Sequence, residues 1–122
     1  MTARPRPAET PDVRCAACGH PLTDRRERIE VDGAHEHVRE NPHGHRYRFG
    51  CFDRAPGAVA AGNQTDEWTW FAGHRWQTAY CRGCGAHVGW AFLTNARRFW
   101  GLIADRVTPA DDGAPDSPAP GR

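Results

Sequence analysis

Lysine is absent from this 122-residue chain. All sixteen basic residues are arginine, set against fifteen acids, for a formal net charge of +1. That balance provides neither the broad basic field used to hold nucleic acid nor an acidic one. Large aliphatics are scarce: beside a few valines there are only Leu22, Leu93, Leu102, Ile29 and Ile103, and mean hydropathy is −0.76. No apolar run approaches the length of a membrane span, and the start, Met1-Thr-Ala-Arg-Pro-Arg-Pro, shows no secretory signal. The expectation is a monomer without nucleic-acid or membrane partners in a reducing cytoplasm, where paired cysteines read as metal ligands before disulfides. The length allows one domain, and so thin a core needs a staple.

Residues 1–13 are rich in Pro and Arg, and 108–122 in Pro, Ala and Asp; both stretches read as disordered tails around a folded part at 14–107. Inside it the apolar residues recur with period two. Tyr47, Phe49 and Cys51 alternate with Arg48 and Gly50. Trp76, Thr78 and Tyr80 form a second such set, and Val88, Trp90 and Phe92 share one face of a third. Phe99 to Ile103 is a last apolar run, and Arg28 to Val31 leads into an Asp32-Gly33 turn. Short antiparallel strands joined by Gly- and Asn-rich loops, Gly57–Gln64 among them, give an all-β expectation.

Cys15-Ala-Ala-Cys18-Gly19 and Cys81-Arg-Gly-Cys84-Gly85 repeat one pattern. Each places two thiolates on a tight turn, and the glycine after the second Cys lets the backbone take positive φ so that N–H groups face the sulfurs. Two such knuckles make a closed tetrahedral site, which makes the metal structural: Zn²⁺ first, with iron chemically possible. Structural zinc contributes about 10–16 kcal/mol apparent, on the order of a whole domain's stability. The knuckles enclose nearly the whole folded part, so the metal clamps one end of a sheet. Cys51, the fifth cysteine, reads as a small core residue.

Four of the five tryptophans fall between Trp68 and Trp90. Trp100, beside Phe99 and Leu102, reads as core. Trp70 and Trp76 flank a turn at Gly73, and Trp90 follows the second knuckle, so the three can face one space. Buried indoles need partners for their N–H groups, which favours a box with one open side. Carboxylates on its rim, such as Asp66 or Glu67, would suit a quaternary ammonium. Free backbone N–H and C=O groups would suit a flat neutral ring.

Several stretches occur here in the order of one known family: Cys15-x-x-Cys18, Asn41-Pro-His-Gly44, Trp70-Phe-x-Gly73-x-x-Trp76, Cys81-x-x-Cys84, His87-x-Gly89-Trp90-x-Phe92 and Phe99-Trp100-Gly101-Leu102. Together they span nearly all of 14–107 and resemble the CULT domain, the thalidomide-binding domain of cereblon, and its free-standing bacterial relatives. The resemblance implies two small antiparallel sheets pinned by a Cys₄ zinc site, the β-tent. It also implies ligands: cyclic imides and lactams, such as the glutarimide of thalidomide, and uracil-like rings. Trp70, Trp76 and Trp90 would be the cage walls and Phe92 its base. The Trp68 carbonyl would accept the imide N–H, the Trp70 amide would donate to a ring carbonyl, and Asn41 would sit at the mouth. Trp68 stands where the human protein has His, Ala72 where the family turn has Pro, and His45 where Tyr often follows. The protease-like and ligase-adaptor regions of cereblon are not in this sequence, so a ubiquitin-ligase role is not carried over.

The functional expectation is a non-catalytic binding domain for cyclic imides, whether free rings or a cyclised Gln or Asn at a damaged protein C-terminus. The alternatives are a reader of quaternary ammonium groups and a B-type methionine sulfoxide reductase-like enzyme. The enzyme needs a nucleophilic thiol at the pocket, and only Cys51 is left outside the metal set. His43, His74 and His87 read as structural, and His20, His35 and His37 as solvated loop residues.

Overall fold

Runs in which aromatic and β-branched residues alternate with Arg, Gly and Ala become strands. The computed structural model describes residues 12–109, and the tails expected at 1–13 and 108–122 lie almost entirely outside them. The described strands are β1 (Val13–Cys15), β2 (Pro21–Thr23), β3 (Glu36–Glu40), β4 (Arg46–Phe52), β5 (Ala58–Thr65), β6 (Arg75–Cys81), β7 (His87–Leu93), β8 (Arg98–Ile103) and β9 (Val107–Thr108). Every strand pairing is antiparallel. A small sheet runs β2-β1-β9 and a large one β3-β4-β8-β7-β6-β5. Among the described residues helix is limited to single 3₁₀ turns at Arg25–Glu27 and Ala104–Arg106. The all-β, two-sheet architecture is therefore the one the sequence implies.

The large sheet is buried on both faces. On one, Val13, Cys15, Leu22 and Val107 of the small sheet pack with Ala79, Ala91, Trp100 and Leu102. On the other, Phe49, Phe71, Phe92 and Phe99 form an aromatic layer with Trp90, Cys51 and Ile103. Each of these large side chains contributes about 1.5–3 kcal/mol by leaving water, so aromatic area replaces the missing aliphatics. Trp100 is core, with Arg98 stacked over its ring at 5.0 Å.

Two glycines let β7 and β8 approach. A Cβ on Gly89 would run into the Gly101 carbonyl, and one on Gly101 would meet Phe49 at 2.8 Å and Phe92 at 3.0 Å. The absence of a side chain at Gly101 is thus what seats the aromatic layer.

Three expectations are corrected. Gly57–Gln64 is mostly strand β5, because Ala58–Ala61 pair in register with Thr78–Cys81; its Gly and Asn lie on the solvated edge, where they cost little. Val88 does not share a face with Trp90 and Phe92. The register shifts between Ala79 and Tyr80, and the resulting bulge turns Val88 into the opposite cluster. His35 and His37 are not solvated: His35 meets Phe52 edge-on at 5.3 Å, and His37, 7% exposed, stacks on Phe49. His37 Nε2 bonds the Ala34 carbonyl at 3.0 Å and Nδ1 faces Arg39, so the ring's polar atoms are satisfied without water. Asp32-Gly33 forms the expected turn, with φ of 52 and 89 as a type I′ turn requires.

Candidate functional site

The two cysteine knuckles are copies in geometry as well as sequence. Cys15 N–H donates to His20 C=O at 2.9 Å and Gly19 N–H to Cys15 C=O at 2.8 Å; Cys81 N–H donates to Ala86 C=O and Gly85 N–H to Cys81 C=O, both at 2.8 Å. Gly19 and Gly85 take φ of 81 and 80, the left-handed conformation that closes each loop. Strand β1 delivers the first knuckle and the β6–β7 hairpin the second, so the sulfurs join the small sheet to the large one.

All four sulfurs lie within 4.8 Å of one another, with Cys15–Cys84 at 3.8 Å and Cys18–Cys81 at 3.6 Å. A tetrahedron with metal–sulfur bonds of about 2.3 Å has edges of about 3.8 Å. The donor set therefore fits a tetrahedral metal ion. Backbone N–H groups of His20 and Gly83 approach the Cys18 and Cys81 sulfurs at 3.4 and 3.2 Å, the outer support thiolates need. As thiols, Cys15, Cys18 and Cys81 are shifted in different directions. Burial raises the Cys15 pKa. The His20 N–H lowers that of Cys18, but desolvation and the three neighbouring thiols outweigh it and push it up to about 12. Burial raises Cys81 too, yet the N–H groups of Cys84 and Gly83 and the thiols of Cys18 and Cys15 bring it down overall.

The aromatic layer opens at one end into a cavity of about 370 Å³. Trp70, Trp76, Trp90 and Phe92 line it, together with Trp68 and Asn41, so all six residues singled out in the sequence border one space. Trp70 and Trp90 meet edge to face, with centroids 4.9 Å apart at 83°, and Trp70 stacks on Phe49 at 5.5 Å. Phe92, 1% exposed, continues into Phe49, Phe71 and Phe99 behind the cavity.

Loop carbonyls anchor two of the indoles. Trp70 Nε1 donates to Glu40 C=O at 3.3 Å, at the end of β3, and Trp76 Nε1 to Glu67 C=O at 2.7 Å, between β5 and β6. Thr69 N–H donates to Asp66 C=O at 3.3 Å, closing a turn in which Trp68 has φ 62. Positive φ at that third position, and not at Glu67, makes it a type II turn, which favours Gly. Holding Trp there costs about 1–2 kcal/mol. The strain flips the Glu67–Trp68 peptide, and the flipped carbonyl is the one that Trp76 meets. Among the described residues neither the Trp68 carbonyl nor the Trp70 amide joins a backbone hydrogen bond outside the strands.

Asn41 lines the cavity from the loop between β3 and β4. Its Oδ1 accepts from the backbone N–H groups of His43 at 3.0 Å and His45 at 2.8 Å, and its own N–H and C=O close the loop to His45 and Gly44.

Four lining residues were not singled out as wall: Pro42, His43, Tyr47 and His87. Tyr47 meets Trp90 edge-on at 4.9 Å; its place two residues before Phe49 on β4 was the available signal. His87 lies edge-on to Trp90 at 5.3 Å, with Nε2–H donating to Gly89 C=O at 3.0 Å. Arg106 faces its Nδ1 at 3.4 Å and also bonds its carbonyl at 3.0 Å. Burial first, then the Arg106 charge, lower the His87 pKa from the usual 6.5, against a smaller opposing effect of Gly89. Both ring nitrogens are thus engaged and the ring is neutral at pH 7.

His43 lines the exposed end of the cavity. His74 bonds Ala72 C=O through Nδ1, while Nε2 is buried without a partner. Cys51, fully buried beside Phe49, does not line the cavity. Neither Asp66 nor Glu67 lines it, and among the described residues no carboxylate does.

No protein-family model matches the chain. Curated proteins do. The chain is 33% identical to cereblon of Gallus gallus over 81 residues, which are 62% of this chain and 18% of that protein. It is 34% identical to cereblon of Xenopus tropicalis over 74 residues, 57% of this chain and 17% of the relative. With cereblon of Drosophila willistoni it shares 44% over 52 residues, 38% of this chain and 8% of the relative. The chain thus spans less than a fifth of the length of the curated relatives it matches. Two antiparallel sheets, the four-cysteine cluster and these relatives support a cereblon-like (CULT) domain.

Proposed function

We propose that this chain is a non-catalytic receptor domain that captures cyclic imides and lactams in its tryptophan cage. The observation that carries the reading is the lining itself: Trp70, Trp76, Trp90 and Phe92 around 370 Å³, with no carboxylate among them. That volume lies in the range of about 300–1,000 Å³ common to small-molecule sites.

A flat six-membered imide stacks between indoles and presents one N–H flanked by two carbonyls. The Trp68 C=O would accept the first and the Trp70 N–H would donate to one of the second, each bond worth about 0.5–1.5 kcal/mol net. The walls add roughly 25 cal/mol per Å² of apolar surface buried. After ordering costs, binding is expected on the order of micromolar. Glutarimides, uracil-like rings and a cyclised C-terminal Gln or Asn share this edge.

In this reading Cys15, Cys18, Cys81 and Cys84 hold a structural Zn²⁺, which fixes where β7, and hence Trp90, begins. A full thiolate set leaves no open position for a substrate. Reduced thiols suit the cytoplasm, and no helix among the described residues is long and apolar enough to cross a membrane. Burial of Cys51 away from the cavity and the engaged nitrogens of His87 support a binding role over a reductase or hydrolase.

The test is a competition between ligand classes. Intrinsic tryptophan fluorescence of zinc-loaded protein is titrated with glutarimide and with trimethyl-lysine. Saturable quenching by the imide alone is expected. A response to the ammonium ligand and none to the imide contradicts the reading, since an ammonium reader would use the same walls.

A further inference from the structure

The three cage tryptophans are not held alike. Trp70 and Trp76 each donate an indole N–H to a loop carbonyl. Trp90 makes no such bond among the described residues. Rings set its angle instead. Trp70, Tyr47, Phe49 and His87 all meet it edge to face, at interplanar angles of 83°, 80°, 71° and 79°, an arrangement aromatic pairs prefer. His87 differs from the other three. Its imidazole has two neutral tautomers and two ring orientations, and hydrogen bonds decide which is present.

Arg106 settles both. Its Nη1–H donates to the His87 carbonyl at 3.0 Å and faces Nδ1 at 3.4 Å. A guanidinium accepts nothing, so Nδ1 presents its lone pair and Nε2 carries the proton, which goes to Gly89 C=O at 3.0 Å. A flipped ring would set a C–H against the guanidinium and leave the Gly89 carbonyl without its donor. Arg106 is anchored in turn. Its own carbonyl accepts from Ala16 N–H at 3.0 Å, inside the first knuckle, and Val107 beside it pairs with Cys15. Among the described residues no carboxylate pairs with the guanidinium, and Arg106 does not line the cavity. A charge with no ion pair is thus spent on a neutral histidine.

We propose that Arg106 is a positioning residue for the cage: it holds His87 in the one tautomer and orientation that brace the Trp90 indole, and so ties that wall to the first cysteine knuckle. Arg106 acts through His87 and touches no ligand. The proposal rests on the imide reading above for its ligand, while its effect on the His87 ring is readable without one.

The test uses the full chain with zinc content assayed, at pH 8, where His87 is neutral. Ring-nitrogen NMR reads the tautomer and calorimetry reads glutarimide affinity. Wild type is expected to carry the His87 proton on Nε2 alone. In Arg106→Ala both tautomers are expected, and glutarimide binds about threefold to tenfold more weakly. A double-mutant cycle separates this from general loosening. His87→Phe keeps a ring edge against Trp90 and has no nitrogens, so in that background Arg106→Ala should change affinity by less than about twofold. If His87→Phe does not bind glutarimide, the near-ultraviolet circular dichroism of the tryptophans replaces affinity in the cycle. Arg106→Gln, which stays polar and loses the charge, stands in if Arg106→Ala does not fold.

A wild-type ring protonated on Nδ1, or an unchanged His87 spectrum in Arg106→Ala, overturns the proposal. So does unchanged glutarimide affinity in that variant. An equal loss with and without the His87 ring also overturns it, and makes Arg106 a general support of the fold. Wild type that ignores glutarimide overturns the imide reading, and the His87 spectra then decide whether Arg106 positions the ring.

Discussion

The Trp76 indole N–H donates to the Glu67 carbonyl at 2.7 Å, and the left-handed Trp68 is what aims that carbonyl at it. One strained residue thus fixes the angle of a cage wall two segments away. Trp76→Phe keeps an aromatic face of smaller area and removes the donor. It is expected to cost about 1 kcal/mol, seen as a Tm lower by about 4–8 °C, and to weaken imide binding as the wall loosens. An unchanged Tm and affinity would show that the bond does not hold the wall.

The four sulfurs join the two sheets, so removing the metal should remove the fold. A strong chelator, or Cys81→Ser, is expected to abolish the near-ultraviolet circular dichroism of the tryptophans and cooperative unfolding together. A metal-free chain that still unfolds cooperatively at the same temperature would contradict a stapling role.

Gly101 lies opposite Trp90 in the β7–β8 ladder, where an added Cβ would meet Phe49 at 2.8 Å and Phe92 at 3.0 Å. Gly101→Ala is expected to cost about 1–3 kcal/mol through overpacking and to weaken ligand binding, because Phe92 lines the cavity and Phe49 packs behind it. Gly89→Ala meets a backbone carbonyl that cannot yield, and should leave little folded protein by gel filtration and circular dichroism.

His87 gives the fold a pH dependence. Its pKa is lowered by burial and then by Arg106, so the unfolded chain takes up this proton first as pH falls. Stability from neutral His87 is present above pH 6.5, the ordinary value, and declines as pH drops through 6.5 toward the lowered one. Urea unfolding from pH 7.5 to 5 should show this decline in wild type and a shallower one in His87→Gln. Equal slopes would place the acid sensitivity elsewhere.

The metal set and the cage were legible because both are written in side-chain identity. The spacing of the knuckles names four cysteines that come together, and the clustered indoles name three that border one cavity. Tyr47 was visible only as one member of an alternating strand, since nothing local distinguishes a residue facing a cavity from one facing core. Val88 was misplaced because a bulge leaves no mark in a period-two pattern. His37 looked like a polar loop residue, yet Ala34 and Arg39, both near in sequence, satisfy its nitrogens and let it stack on Phe49. The Gly- and Asn-bearing segment at Gly57–Gln64 is a strand because β6 supplies the partner, a tertiary effect that overrides local preference.

The most direct measurement is the affinity of zinc-loaded protein for glutarimide against N-methylglutarimide, by calorimetry at pH 7.5. The two share the flat six-membered ring and both carbonyls; the second carries a methyl where the first has the N–H that donates to the Trp68 carbonyl. A cage that reads the imide edge binds glutarimide with a Kd on the order of micromolar and loses at least about tenfold on methylation, since the blocked carbonyl is left unpaired. Equal binding of both rings would contradict it, and would reduce the site to an apolar box that recognises shape alone.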